Sequence, residues 1–221
     1  FDGVFCNMSG FLVVDYSGVY HGPCHCENCK RLFKEQYGLD IPDRDDPRSP
    51  DYRKYAAFKS ACTKAQRERL VQTVRSISPE LAINNVDYIR TESATEIGVP
   101  QWQYSASCNA RRTAGPLRLR PADNASVDFM GFRYRDSSVS AGQLALRQWQ
   151  NLANAGSVSL YIMGHLDNHK DRTALNASKA AFAFHREHEA LYRGLQSAAK
   201  VLLVTKPIMA RSDPEVYGWV R

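Results

Sequence analysis

The sequence predicts an α/β fold of the (β/α)8 TIM-barrel type, of which the chain carries the C-terminal half, about strands 4 to 8. The first observation is that short apolar runs alternate with segments of helical period, which implies parallel strands joined by right-handed crossovers. The second is that only five such strands precede Gly194, whereas a complete barrel has eight strands in about 250 residues. The third is that no glycine-rich phosphate loop follows any strand, which disfavours a doubly wound open sheet.

Each predicted element has a local justification. A helix follows the cysteine-rich segment and ends at Gly38, a typical C-cap residue. Asp51, at the end of a Pro/Asp linker, is a candidate N-cap for the next helix, and Ser140 is one for a later helix. The predicted elements are strands at 1–7, 81–84, 87–92, 126–132 and 157–167, helices before Gly38, at 52–77, within 98–115, at 140–155 and at 176–193, and a last strand from 199.

Charge and hydropathy limit the function classes. The 221 residues carry a formal net charge of +6, but the basic side chains are spread along helices instead of forming a stripe with aromatic platforms, so we expect no nucleic-acid partner. No apolar run approaches the ~20 residues of a membrane helix, so we expect no membrane partner. The chain opens within a strand pattern, so we expect a piece of a longer protein, with 1–196 in the half-barrel and 197–221 beginning a second α/β domain.

A cysteine-rich knuckle at 21–29 has the spacing Cys24-x-Cys26-x-x-Cys29. Such a turn supplies three of the four ligands of a tetrahedral zinc, and we expect a structural zinc and no organic cofactor. Reduced thiols without metal and a redox pair are the alternatives. A disulfide framework is disfavoured because the chain is long enough to bury a core. Since thiolate sites persist where thiols stay reduced, we expect a cytoplasmic protein.

Several segments resemble known glycosidase families. "NMSG", from Asn7, followed by "CHCENCKRLFKEQYG" is similar to the N-E-Y-G and C-x-C-x-x-C stretches of family 42 β-galactosidases. The remainder resembles the relatives grouped as hypothetical glycosyl hydrolase family 6, in segments that include "RTESATE", "WQYSAS", "LRQWQNLANAGSVSLYIMGHLDN" and "FHREHEALYRGL". Together these segments cover most of the chain.

The resemblance implies a structural zinc whose fourth cysteine lies upstream in family 42; His21 or Cys6 could substitute for it here. It also implies that "AKVLLV" opens a flavodoxin-like domain, which supports trimers in family 42, so a homo-oligomer (dimer or trimer) is expected. One departure is clear. Met8 stands where family 42 has its acid/base glutamate, and Asp128 is the nearest carboxylate to the family's nucleophile position.

Glycoside cleavage needs two carboxyl groups, and a barrel places them at the C-terminal ends of its strands. Glu92 is the first candidate, because Arg90 on the same strand face would keep it ionised. Asp167 and Asp128 come next, and Asp15 is the fourth. Each has a structural alternative: Glu92 pairs with an arginine, Asp167 caps a loop or orients His165, Asp128 bonds Arg133 or Arg135 inside the barrel, and Asp15 is a solvated loop residue.

Sugar sites also use aromatic platforms and amide or imidazole groups. The candidate sugar-contacting residues are Asn7, Tyr16, His21, Trp102, Tyr104 and His165. The sequence therefore predicts a glycoside hydrolase-like enzyme that acts on an O-glycosidic bond of an oligosaccharide. The alternative is a barrel that binds carbohydrate without cleaving it.

Overall fold

The computed structural model describes residues 2–7, 10–15, 17–95, 102–113, 121–131, 134–193, 195, 198, 200 and 201. The chain divides into two compact units. Unit 1 comprises Phe1–Thr91 and Arg120–Asp123, and unit 2 comprises Glu92–Leu119 and Asn124–Arg221. Each unit is described by itself.

Unit 1 combines a parallel strand pair with two helices. Strand β1 (Gly3–Val4) pairs in parallel with β2 (Ala82–Ile83). Helices α1 (Glu27–Tyr37) and α2 (Tyr52–Ile77) lie between these strands in sequence. The parallel pairing of strands separated by helices confirms the prediction of an α/β arrangement.

The core of unit 1 is aromatic. Phe33 of α1 meets Tyr55 and Phe58 of α2, with ring centroids 6.0 and 5.2 Å apart and the rings nearly perpendicular. All three side chains are buried, together with Ile41. Edge-to-face contacts of this kind stabilise aromatic pairs beyond the area they bury. They hold the middle of α1 against the N-terminal part of α2, and the cysteines lie at the start of α1.

The predicted C-cap of α1 is confirmed, whereas the predicted N-cap of α2 is wrong. Gly38 adopts a left-handed conformation (φ 67°), and its N–H donates to the Lys34 carbonyl, as expected of a glycine C-cap. Helix α2 begins at Tyr52 as predicted, but Asp51 does not cap it. The Asp51 carboxylate instead accepts from Lys54 Nζ at 3.4 Å, because the residue has helical backbone angles (φ −90°, ψ −1°) that differ from those of an N-cap.

A second sheet has three strands in the order β3-β4-β5, and the remaining helices follow β3 in sequence. Its strands are β3 (Ile89–Ser93), β4 (Ala122–Val127) and β5 (Leu160–Tyr161), and the helices are α3 (Ser105–Thr113), α4 (Ala141–Ala153), α5 (Leu175–Glu187) and α6 (Glu189–Arg193). Strands β4 and β5 pair in parallel, with Ser126 opposite Leu160. Ser140 caps α4 by accepting from the Gln143 N–H at 3.2 Å, which confirms the predicted cap.

Several predicted elements differ from the structure in their bounds. The strands predicted at 1–7 and 157–167 are reduced to β1 (Gly3–Val4) and β5 (Leu160–Tyr161). The strand predicted at 126–132 is β4 at Ala122–Val127, and the helix predicted at 176–193 is divided at His188 into α5 and α6. His188 is the C-cap residue of α5, with backbone angles (φ −113°, ψ 17°) that depart from the helix. Its N–H and its ring Nδ1–H both donate to the Phe184 carbonyl. The strand predicted from 199 falls mainly outside the described residues.

Helix α2 is the longest helix of the described ranges, at 26 residues. Neither it nor any other helix in these ranges has the length and apolar character needed to cross a membrane.

Candidate functional site

The three knuckle cysteines converge at the start of α1. Their Sγ atoms lie within 4.8 Å of one another. Cys26 is the residue before the helix, with extended backbone angles (φ −65°, ψ 155°), and its carbonyl accepts from the Lys30 N–H. Cys29 follows in the first turn. The tight spacing therefore places one sulfur before the helix, one at its N-cap and one on its first turn, and the cluster could hold a metal ion.

The local electrostatics distinguish Cys26 from Cys29. The backbone N–H of Cys29, followed by the Cys24 thiol, lowers the pKa of Cys26. Burial, followed by contact with Cys26, raises the pKa of Cys29 to about 12. Backbone N–H groups at a helix start stabilise a thiolate. Cys26 is thus the first of the two to ionise, and Cys29 packs against the aromatic core.

The substitutes expected for the fourth metal ligand do not join the cluster. Among the described residues, the convergent group consists of the three cysteines and includes neither His21 nor Cys6. His21 Nε2 lies 2.8 Å from Asp15 Oδ2. The Asp15 carboxylate also accepts from two N–H groups of its own loop, Ser17 and Val19, and these contacts lower its pKa. Asp15 and His21 therefore organise the loop at 10–22.

Glu92 is the next-to-last residue of β3 and lies on the face opposite that of Ser93. Ser93 is buried and bonds to Asn124, whereas the exposed Glu92 carboxylate has no hydrogen bond or ion pair with any residue of the described ranges. The Glu92 backbone carbonyl accepts from Asn109 Nδ2 at 2.9 Å. The expected cation is engaged elsewhere, because Arg90 Nη1 lies 2.5 Å from Asp123 Oδ2.

Asp128 follows directly after β4 and is buried (1% exposed). Ser138 Oγ donates to its Oδ2 at 3.1 Å, and His169 Nε2 lies 3.9 Å from the same oxygen. Burial is the main cause that raises the pKa of Asp128, and the Ser138 hydrogen bond opposes it. This carboxylate is enclosed among polar groups at the end of the strand, where it does not face solvent.

A buried arginine beside Asp128 was missed by the sequence analysis. Arg147 of α4 is fully buried; it donates to the Val127 carbonyl, and to Thr95 Oγ1 at 2.8 Å. Its guanidinium lies 5.9 Å from the Trp102 ring centroid, and burial lowers its pKa to about 10. Its burial could have been predicted from its position three residues after Leu144, which places the arginine on the apolar face of α4.

The other predicted residues are dispersed over loops and a 3-10 helix at Trp102–Tyr104. Asp167, His165, Tyr104 and Asn7 are exposed, and the Asp167 carbonyl accepts from Arg172 Nη2 at 2.6 Å. Trp102 is half-buried against Arg147, so one face of its ring is engaged by the protein. Tyr16 and Met8 lie outside the described residues.

Comparison with protein-family models, with curated proteins and with solved structures found no match to this chain. The resemblance to glycosidases therefore stays a prediction, as do the residue roles that it implies.

Proposed function

We propose that the chain belongs to a glycoside hydrolase-like (β/α) barrel that acts on an O-glycosidic bond, with a structural zinc at Cys24, Cys26 and Cys29. The observation that carries the proposed hydrolase function is the Glu92 carboxylate. It is exposed at the end of a sheet strand and unpaired within the described ranges, and strand ends are where barrels keep their catalytic groups.

The roles of the three candidate acids divide according to burial. Glu92 and Asp167 are exposed and are assigned to the reaction, one as acid and the other as base or nucleophile. Asp128 is enclosed and bonded to Ser138. It is assigned a supporting role, in which it anchors the segment after β4.

The proposed zinc site is supported by the chemistry of its donors. Three thiols converge within 4.8 Å, and thiolates are the preferred ligands of structural zinc. When bound, the metal would join the segment before α1 to the first turn of the helix through Cys24, Cys26 and Cys29. The metal would thus hold α1 in place together with the aromatic core.

The hydrolase proposal is tested with a panel of nitrophenyl glycosides. We expect turnover of at least one substrate, and a loss of about 10³-fold in kcat for Glu92→Gln, since general acid–base catalysis contributes about 10²–10⁴-fold. Glu80→Gln is the matched control, because Glu80 is also exposed and lies in a turn before β2. Equal rates for wild type and Glu92→Gln would contradict the assignment.

The zinc proposal is tested by measuring bound metal in the purified chain. We expect one zinc per chain, lost in Cys26→Ser and retained in Cys108→Ser. Cys108 is a suitable control because it is exposed on α3 and is not among the three convergent cysteines. Metal that persists in Cys26→Ser would contradict the site.

A carbohydrate-binding barrel without turnover is the second candidate, and the burial of Asp128 favours it. Asp128 is the carboxylate nearest to the nucleophile position that the glycosidase resemblance implies. A side chain that is 1% exposed does not touch a saccharide without rearrangement, so that position offers the sugar no reacting acid. Calorimetric binding of an oligosaccharide together with no hydrolysis of it would favour this candidate over the hydrolase.

A further inference from the structure

Tyr55 presents a buried hydroxyl near the cysteine cluster. The residue is fully buried, and its hydroxyl has no hydrogen-bond partner among the described residues. Its ring lies in the aromatic core against which Cys29 packs. The backbone N–H of Cys24 points toward the hydroxyl oxygen without reaching hydrogen-bonding geometry, and both Cys24 and Cys29 interact with it electrostatically.

A buried hydroxyl without an acceptor is unfavourable by about 1–3 kcal/mol. The Asp45 carboxylate is the competing acceptor, since it also interacts electrostatically with Tyr55. However, Asp45 Oδ1 is itself without a hydrogen-bond partner in the described ranges, and Oδ2 pairs with Lys59. The two groups are therefore not bonded to each other, and the hydroxyl hydrogen of Tyr55 remains available to another acceptor.

We propose that Tyr55 is a positioning residue of the metal site and that its hydroxyl donates a hydrogen bond to a metal-bound thiolate, that of Cys24 or Cys29. This inference rests on the zinc site proposed above. A neutral thiol is a weak acceptor, whereas a thiolate bound to a cation is ionised and accepts a charge-assisted hydrogen bond. Metal binding thus gives the hydroxyl the acceptor that it lacks.

A tyrosine hydroxyl carries its proton at neutral pH and can therefore donate it. Groups that hydrogen-bond metal ligands orient them and adjust their basicity. Tyr55 would accordingly fix the direction of one sulfur lone pair and lower the reactivity of that sulfur toward electrophiles.

The test compares Tyr55→Phe with the wild-type chain in zinc and cobalt titrations. We expect about 10-fold weaker zinc binding and a shift of the sulfur-to-cobalt charge-transfer band to lower energy, because the thiolate electrons are no longer stabilised by the hydroxyl. Faster alkylation of the zinc-loaded thiols is expected for the same reason. Tyr37→Phe is the control, because its ring packs against Phe33 of the same aromatic core, whereas its hydroxyl accepts an exposed hydrogen bond from Gln36 Nε2 at 3.2 Å.

Thermal melts separate this role from a purely structural one. In the metal-free chain, Tyr55→Phe should melt at or above the wild-type temperature, since the ring is kept and an unpartnered hydroxyl is removed. In the zinc-loaded chain it should melt lower. Equal affinity and an unchanged charge-transfer band would overturn the proposal, as would an equal loss of stability with and without metal, which would indicate a bond to Asp45. Failure of the wild-type chain to bind zinc would instead overturn the metal site itself.

Discussion

Arg90 and Asp123 form an ion pair that is about four-fifths buried, with Nη1 and Oδ2 2.5 Å apart. The guanidinium also lies 4.8 Å from the Phe5 ring centroid. The sequence predicts Arg90 as the cation beside Glu92, but in the structure its guanidinium is paired with Asp123. This leaves the Glu92 carboxylate available to a ligand.

Breaking the Arg90–Asp123 pair should destabilise the chain measurably. We expect Arg90→Met to lower the free energy of unfolding by about 2 kcal/mol, because it removes the cation that compensates a partly buried carboxylate. A double-mutant cycle with Asp123→Asn, followed by urea unfolding, measures the coupling. The exposed pair Lys64–Glu68 is the control, since Lys64→Met should cost under about 1 kcal/mol; equal costs for the two sites would refute the prediction.

Removal of Phe33 should weaken the core of unit 1. Phe33→Ala deletes a fully buried ring that contacts Tyr55 and Phe58, and we expect a loss of about 3–5 kcal/mol in unfolding free energy. The neighbouring Leu32 is 39% exposed on the same helix, so Leu32→Ala should cost far less. Chemical denaturation of both variants measures the difference, and similar midpoints would contradict the assigned core.

The buried carboxylate of Asp128 predicts a pH-dependent stability difference. Its pKa is raised above the ordinary value of 3.8 in the folded state. Its contribution to stability is therefore fully present below about pH 3.8 and is lost as the pH rises through the folded pKa. The free energy of unfolding of Asp128→Asn should therefore increase relative to that of wild type as the pH rises through the folded-state pKa of Asp128. Urea unfolding at several pH values measures this difference.

The groups that face Asp128 include His169, Asp171 and Arg147. Asp171→Asn is the opposite control. Hydrogen bonds from Thr173 lower the pKa of Asp171, so its contribution is present above the ordinary pKa and is lost as the pH falls through the folded pKa. A stability difference for Asp128→Asn that does not vary with pH would contradict the prediction.

The cap of α4 is expected to contribute about 1 kcal/mol. Ser140→Ala removes the oxygen that accepts from the Gln143 N–H, and alanine is a poor N-cap. Ser60 is an exposed serine in the interior of α2, where alanine has the higher helix propensity. Thermal unfolding should therefore show Ser140→Ala destabilised and Ser60→Ala neutral or slightly stabilised; the reverse order would refute the assigned cap.

Features that depend on neighbouring residues could be predicted from sequence, whereas those that depend on distant contacts could not. The bounds of α2 follow from its apolar period, and the Gly38 cap and the cysteine cluster follow from spacing. Strand β4 was misplaced because its buried face carries Asn124 and Ser126 in place of apolar residues. Asn124 is hydrogen-bonded to Asn151 of α4. This partner cannot be predicted from the pattern of residues within the strand.

The candidate site divides in the same way. The C-x-C-x-x-C spacing predicts convergent sulfurs because a short turn has few conformations. The burial of Asp128, by contrast, depends on Ser138 and His169, which come from separate loops. The engagement of Arg90 depends on Asp123, which is 33 residues away along the chain. Their positions are set by tertiary packing, which local patterns do not encode.

The close approach of β1 to β2 at Gly3 leaves no room for a side chain. A Cβ at this position would lie 2.7 Å from the Ala82 carbonyl oxygen, so the partner strand accepts only a residue without a side chain there. The pairing of Gly3 with Ala82 therefore requires glycine at this one position. A single missing side chain makes the close approach of two strands possible that are separated by most of the sequence of unit 1.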